Sequence, residues 1–193
     1  MEETELIAKL KQGDQVAFSY LVKQYQKIIL NVSLNILHNL EDAEDVTQEV
    51  FISASQAIRN FKGESKISTW LYRIAMMKSL EHIRKHKTQK RFAFVISLFQ
   101  NEENPIDVGD KSHSSHPGVM LENKQRTQIL FQAIEKLPEK QRISFVLNKL
   151  EGLSYEEVGS VMQLSLSSIE SLIFRAKQNL RTLLENYYDQ NEK

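Results

Sequence analysis

An all-α protein is predicted from three features: the 193 residues include only 6 Gly and 3 Pro, apolar residues recur three and four apart nearly throughout, and strand-like alternation is nearly absent. Thr4 to Lys11 reads as a short helix that Gly13-Asp14 breaks, with Asp14 placed to cap the next one. That second helix carries Phe18, Leu21, Val22, Tyr25, Ile29, Val32 and Ile36 on one side. A third runs from about Glu41 to Ile58, with Ala43, Val46, Val50, Ala54 and Ile58 facing inward. Asn60 to Ser68 is expected as a polar loop. Thr69 to about Lys87 follows as a helix with apolar residues on two sides, Leu71, Ile74 and Met77 against Met76, Leu80 and Ile83, which suits the centre of a first domain.

From Gln100 to about Gly118 the composition turns to Asn, Glu, Asp, Ser, His, Pro and Gly, too poor in apolar residues to fold alone. The chain is therefore divided into a helical domain over 1–99, a linker over 100–118 and a second domain over 119–193. Phe92 to Phe99 is apolar and reads as a helical extension packed on the first domain, with a partner-binding segment as the other choice. In the second domain helices are expected at Met120 to Lys136 and Pro138 to Leu150. Pro138 suits a first helical turn, and Gly152 suits the left-handed residue after a helix end.

Ser154 to Leu180 is the most informative stretch, because it spells two helices joined by a tight turn. Ser154 and Glu157 form a capping box, Val158, Val161 and Met162 make an apolar stripe, and Ser165 or Ser167 is placed to cap the second helix. That helix buries Ile169, Leu172, Ile173, Ala176, Leu180 and Leu183, and leaves Ser168, Glu170, Ser171, Arg175 and Gln178 outside. Such a helix fits a major groove, where outward side chains read base edges and Arg or Lys holds phosphates. Capped helix pairs also fill helical proteins that touch no DNA, so the rest of the chain has to decide.

Composition narrows the classes. The 25 basic and 25 acidic residues balance to a formal charge of +0, so any contact with a polyanion must come from local patches. Absence of Cys excludes disulfides, thiolate metal sites and Cys nucleophiles. The start, Met-Glu-Glu-Thr-Glu, is acidic where a signal peptide would be basic, and no apolar run approaches a membrane span. A cytoplasmic protein without direct membrane insertion is expected. There is no phosphate loop, Gly-rich nucleotide fingerprint or nucleophile elbow, so no enzyme activity, cofactor or small-molecule substrate is expected.

Three charge clusters stand out. Glu41, Asp42, Glu44, Asp45 and Glu49 crowd the start of the third helix, where they complement its dipole; Asp42, Asp45 and Glu49 share a face that also suits docking to a partner. Arg84, Lys85, Lys87, Lys90 and Arg91 lie within eight residues and, with Arg73 and Lys78 upstream, make the best phosphate-binding stripe. The loop Asn60 to Ser68 brings Lys62, Lys66 and a Gly together with Phe61 and Trp70, whose rings either stack on a base or close the core. His82 and His86 lie one helical turn apart. Their basic surroundings oppose a metal, and Glu81 is the sole carboxylate near them in sequence, so no metal site is expected.

The segments Asp42 to Phe51, Phe61 to Ser65, Thr69-Trp-Leu-Tyr-Arg-Ile-Ala75, Leu137 to Arg142, Leu153 to Val158 and Phe174-Arg-Ala176, taken in order, resemble the extracytoplasmic-function group of bacterial sigma factors over nearly the whole chain. The resemblance implies that Asp42, Asp45, Gln48, Glu49 and Phe51 dock on core RNA polymerase. It implies that the loop from Asn60 and the following helix, through Phe61, Lys62, Ser65, Lys66, Trp70, Arg73, Met77, Arg84, Lys85 and Lys87, engage the −10 promoter element and a base flipped from the non-template strand. The second domain would read the −35 element through Ser167, Ser168, Glu170, Ser171, Phe174, Arg175 and Lys177. Promoter DNA, core polymerase and an anti-sigma factor are the implied partners, and the polymerase performs the chemistry. Met77 stands where the family usually has Asn, and Glu170 and Leu172 stand where it usually has basic residues, so neither base preference carries over. The competing readings are a stand-alone helix-turn-helix regulator, which leaves residues 42–83 without a task, and a helical adaptor that binds only proteins.

Overall fold

The computed structural model describes residues 1–99 and 129–191, with side chains over 1–86 and 129–185. The expected all-α architecture is found, and no strand occurs among the described residues. Helix α1 (Glu3–Lys11) buries Leu6 and Leu10. Gly13, at φ +81°, ends the turn after it, and the Asp14 carboxylate accepts hydrogen bonds from the Val16 and Ala17 amides at 2.7 and 3.0 Å, starting α2 (Gln15–Leu37). Helix α2 closes on His38, which adopts a left-handed φ of 57° and donates its amide to the Leu34 carbonyl. Asn39 then caps α3 (Leu40–Ala57) through the Asp42 amide. The inward stripe of α3 is as expected, with Ala43, Val46, Val50 and Ala54 buried, and Ile58 buried in the 3-10 turn Ile58–Asn60.

Helix α4 (Ile67–Phe99) begins earlier than the sequence suggests. The reason is tertiary. Glu3 of α1 brings its Oε1 to 2.9 Å from the Ile67 amide, satisfying a helix-start donor that has no local partner. Ile67, expected in a polar loop, is fully buried. The backbone stays helical through Phe99, so the apolar run from Phe92 lies on α4, while its side chains are outside the described residues. Helices α2, α3 and α4 pack on one another, with α1 and the 3-10 turn at one end. Each Leu or Ile sealed in this core, such as Leu21, Ile29, Ile36 and Leu71, contributes roughly 1.5–3 kcal/mol relative to exposure.

Of the helix expected from Met120, residues 129–135 are described and helical; they are labelled α5. The segment read as a linker, 100–118, lies outside the described residues. Pro138 serves as the N-cap of α6 (Glu139–Phe145), which widens into a π turn over Val146–Leu150, and Gly152 takes the expected left-handed φ of +73°. Helix α7 (Tyr155–Met162) and α8 (Leu166–Asn191) complete the chain, with α8 packed on α6 and α7.

The two halves touch. Helix α7 packs against α4 and the π turn against α2. Along this seam Asn35 donates to Glu151 at 2.8 Å, Lys66 pairs with Glu157 at 3.3 Å, Arg84 pairs with Glu139 at 3.5 Å, and Arg73 donates to the Ser160 carbonyl. His38 meets Phe131 edge to face, with ring centroids 5.9 Å apart.

Candidate nucleic-acid interface

The capping box that starts α7 is fully formed: Glu157 donates its amide to Ser154 Oγ at 3.2 Å, and the Ser154 amide donates to Glu157 Oε2 at 3.0 Å. That amide contact also holds the Glu157 carboxyl below its usual range. The turn after α7 passes through Gln163 at φ 56°. Gly159 lets α7 meet the turn closely, since a Cβ there would lie 3.0 Å from the Leu164 carbonyl oxygen. Of the two serines that sequence offers as the next cap, Ser165 is the one used, accepting from the Ser168 amide at 3.3 Å.

Helix α8 then buries Ile169, Ile173, Ala176 and Leu180 against α6 and α7. Its opposite face, with Ser167, Glu170, Ser171, Arg175 and Lys177, is in solvent, and Phe174 is 61% exposed. Ser168, expected outside, is half-buried and shares a hydrogen bond with Ser165 at 2.8 Å, so it belongs to the cap more than to the outer face. An exposed phenylalanine beside an arginine on a solvent-facing helix offers apolar contact to a thymine methyl and a cation to a phosphate.

The cations at and near α4 are not isolated from the second half. Lys66, Arg73 and Arg84, three cations expected to hold DNA, are all engaged by the second half along the seam. Lys62 and Lys85 are exposed, Ser65 is half-buried, and the Lys87 side chain lies outside the described residues. Met77 is 58% exposed and lies on the rim of a groove with Ile74, Leu80 and Arg84. For the aromatic pair the sequence left two choices, and the structure bears on them. Phe61 is only 7% exposed and tilted against Trp70 with centroids 5.0 Å apart, so in this structure it helps close the core. Trp70 is half-buried in the same pair.

On α3, Asp45, Gln48 and Glu49 are exposed on one side, and Glu49 lies 3.7 Å from Lys78. Phe51 is buried at 6% exposure, so it anchors α3 from beneath and does not present a docking contact. Sequence reasoning passed over Ile52, which is 56% exposed one turn from Gln48 and Glu49; it sits off the buried stripe of Val46, Val50 and Ala54, and a helical wheel would have shown it. Asp42 turns toward α4, with Oδ1 3.1 Å from His82 Nε2.

Residues 21–89 match the model of Sigma-70 region 2, and residues 127–180 match that of Sigma-70, region 4. A capped helix pair with an outward reading face, behind a helical unit with an acidic face and a basic helix, is thus the arrangement of a sigma-70-type transcription initiation factor. The chain is 33% identical over 188 residues to the RNA polymerase sigma-H factor of Pseudomonas aeruginosa, covering 95% of this chain and 94% of that protein. It is 34% identical over 173 residues to the ECF RNA polymerase sigma-E factor of Escherichia coli K12, covering 90% and 89%. It belongs to the ECF group of sigma factors. The fold is shared with sigma factor RpoE of Bartonella quintana, solved with the anti-sigma factor NepR, at a TM-score of 0.66 and 20% identity over 87% of this chain and 96% of that one. No helix among the described residues is long and apolar enough to cross a membrane.

Proposed function

We propose that this ECF sigma factor docks on core RNA polymerase through the acidic face of α3, with Asp45, Gln48, Glu49 and Ile52, and reads promoter DNA with α4 and α8. Residues 1–99 serve polymerase and the −10 element, residues 119–193 serve the −35 element, and residues 100–118 join them. The protein acts in the cytoplasm, holds no active site of its own, and is controlled by an anti-sigma partner. The observation that carries this reading is the outer face of α8, where Glu170, Ser171, Phe174 and Arg175 stand in solvent behind a capped turn while the opposite face is sealed. Purified core polymerase supplemented with the chain is expected to start transcripts at discrete promoters that core alone ignores; equal transcription from random DNA would refute the proposal.

Replacement of Arg84, Lys85 and Lys87 by Ala is expected to weaken promoter binding by the holoenzyme on every sequence and to flatten its salt dependence. Phosphate contacts position a protein without specifying bases, and each one lost removes close to one unit from the salt slope. Filter binding across a salt series is the measurement, and a loss confined to one promoter contradicts it.

Glu170 tests the reading face. A carboxylate near the start of a groove-bound helix is repelled by phosphates yet accepts a hydrogen bond from cytosine N4, so its contribution is selectivity. Glu170→Lys should raise general affinity and change the preferred base at one −35 position, while Glu170→Ala should broaden that position, losing about 1–3 kcal/mol of discrimination. Selection from randomised promoters by each holoenzyme reads this out. Identical −35 sequences from all three proteins would remove Glu170 from the bases.

A further inference from the structure

The sequence offers two histidines one turn apart on α4 and no suitable third ligand. The fold supplies one. Asp42, at the start of α3, reaches across to α4, and the ligand atoms of Asp42, His82 and His86 all lie within 4.8 Å of one another. His82 Nε2 and Asp42 Oδ1 are 3.1 Å apart, and the two imidazole rings are 4.4 Å apart at 36°. We propose that Asp42, His82 and His86 bind a borderline transition-metal dication, of the zinc, nickel or cobalt(II) kind, that clamps the start of α3 to α4.

Three observations favour an ion over a simple ion pair. The first is spacing: at metal–ligand distances of about 2.0–2.2 Å, neighbouring ligand atoms on one ion lie roughly 3–3.5 Å apart, which the Asp42–His82 separation of 3.1 Å meets. The second is an orphan atom. His82 Nε2 is sealed from solvent with no hydrogen-bond partner, although the Asp42 carboxylate is beside it, because the two do not align for a hydrogen bond. An ion between them satisfies both groups, with the imidazole as neutral donor and the carboxylate as the charged one. The third is freedom to close. His86 is exposed, so its ring can move the distance of about one ångström needed to join the other two.

Two imidazoles and one carboxylate select zinc-like ions over magnesium or calcium, which take oxygen ligands. Three protein ligands leave a fourth tetrahedral position for water. The basic surroundings that argue against a metal in the sequence are drawn elsewhere in the fold: Lys78 lies between Glu49 and Glu81 at 3.7 and 3.2 Å, and Arg84 faces Glu139 at 3.5 Å. Lys85 remains in solvent. The site stands apart from the sigma-factor reading and holds whether or not polymerase meets α3.

The test is a titration of metal-free protein with Co²⁺, followed by its visible d–d absorption, then displacement by Zn²⁺, with thermal unfolding in each state. One equivalent of Co²⁺ is expected to bind, and Zn²⁺ should raise the melting temperature, because an ion that binds the folded chain alone stabilises it. His86→Ala, at an exposed position that leaves the fold intact, should weaken both metals by about tenfold or more and abolish the thermal shift, and Asp42→Asn should do the same. His113 and His116 lie outside the described residues, and replacing both by Ala should change nothing. Absence of binding, binding by His86→Ala equal to that of the unaltered chain, or loss on replacing His113 and His116 would each overturn the proposal.

Discussion

Replacement of Asp45 and Glu49 by Lys is expected to weaken binding to core RNA polymerase by roughly tenfold or more, with the helical signal and the melting temperature little changed. Both carboxylates are exposed, and the Glu49 contact with Lys78 is a long surface pair at 3.7 Å, of the kind that adds little to stability. Reversal alters the field a partner meets: two negative charges beside the exposed Ile52 become two positive ones, and like charges set against each other across an interface are strongly unfavourable. Pull-down with purified core, with circular dichroism on the same samples, separates docking from folding. Undiminished retention of the double variant would reduce the acidic face to a helix start that merely suits its own dipole.

Acidification is expected to destabilise the protein through His38. Burial, with the nearby Arg142 guanidinium adding to it, lowers this imidazole from its ordinary 6.5 to about 4. The folded chain therefore keeps His38 neutral where the unfolded chain already binds a proton. Its contribution is fully present above about pH 6.5 and is lost as pH falls through the interval down to about 4. Linkage gives a loss of about 2 kcal/mol between pH 7 and pH 5 from this residue. Glu151, on the same seam, works in the other direction: burial raises its carboxyl pKa, more than the Asn35 hydrogen bond lowers it, so acidification relieves a buried charge there. A His38→Asn variant isolates the histidine, because Asn tolerates the left-handed backbone at φ 57° and does not titrate. Denaturant unfolding at pH 7 and pH 5 should show a marked drop for the unaltered protein and a smaller one for His38→Asn. Equal drops would place the pH sensitivity elsewhere.

Local signals in the chain were enough to place most helices and the reading pair. Asp14, Ser154 with Glu157, Gly152 and the spacing of Ile169, Ile173, Ala176 and Leu180 act within a turn or two of themselves, so their meaning survives without the rest of the molecule. What was missed depends on distant partners. The start of α4 depends on Glu3, sixty-four positions earlier, so Ile67 read as loop. Phe51 and Phe61 look like contact residues in a motif, and their burial is decided by the helices above them. Asp42 reads as one more acid at a helix start until the packing of α3 on α4 sets it beside His82. The family motifs pointed to faces of α8 and α3 that the structure leaves in solvent. They gave no hint that Lys66, Arg73 and Arg84 would be occupied by Glu157, Ser160 and Glu139.

If Lys66, Arg73 and Arg84 hold DNA as proposed, the seam contacts compete with it. A promoter that needs Lys66, Arg73 and Arg84 must find the chain with its halves parted, so its apparent affinity is scaled by the fraction of molecules in that state. Exposed ion pairs contribute at most about 1 kcal/mol each, and a tenfold preference for the joined state would remove only about 1.4 kcal/mol from promoter binding. A bias of that size is small beside the free energy of a specific protein–DNA complex, yet it falls on α4 and leaves α8 untouched. If α4 and α8 read the two ends of a promoter as proposed, the protein alone would favour the end read by α8, and a partner that holds the halves apart would even out the two.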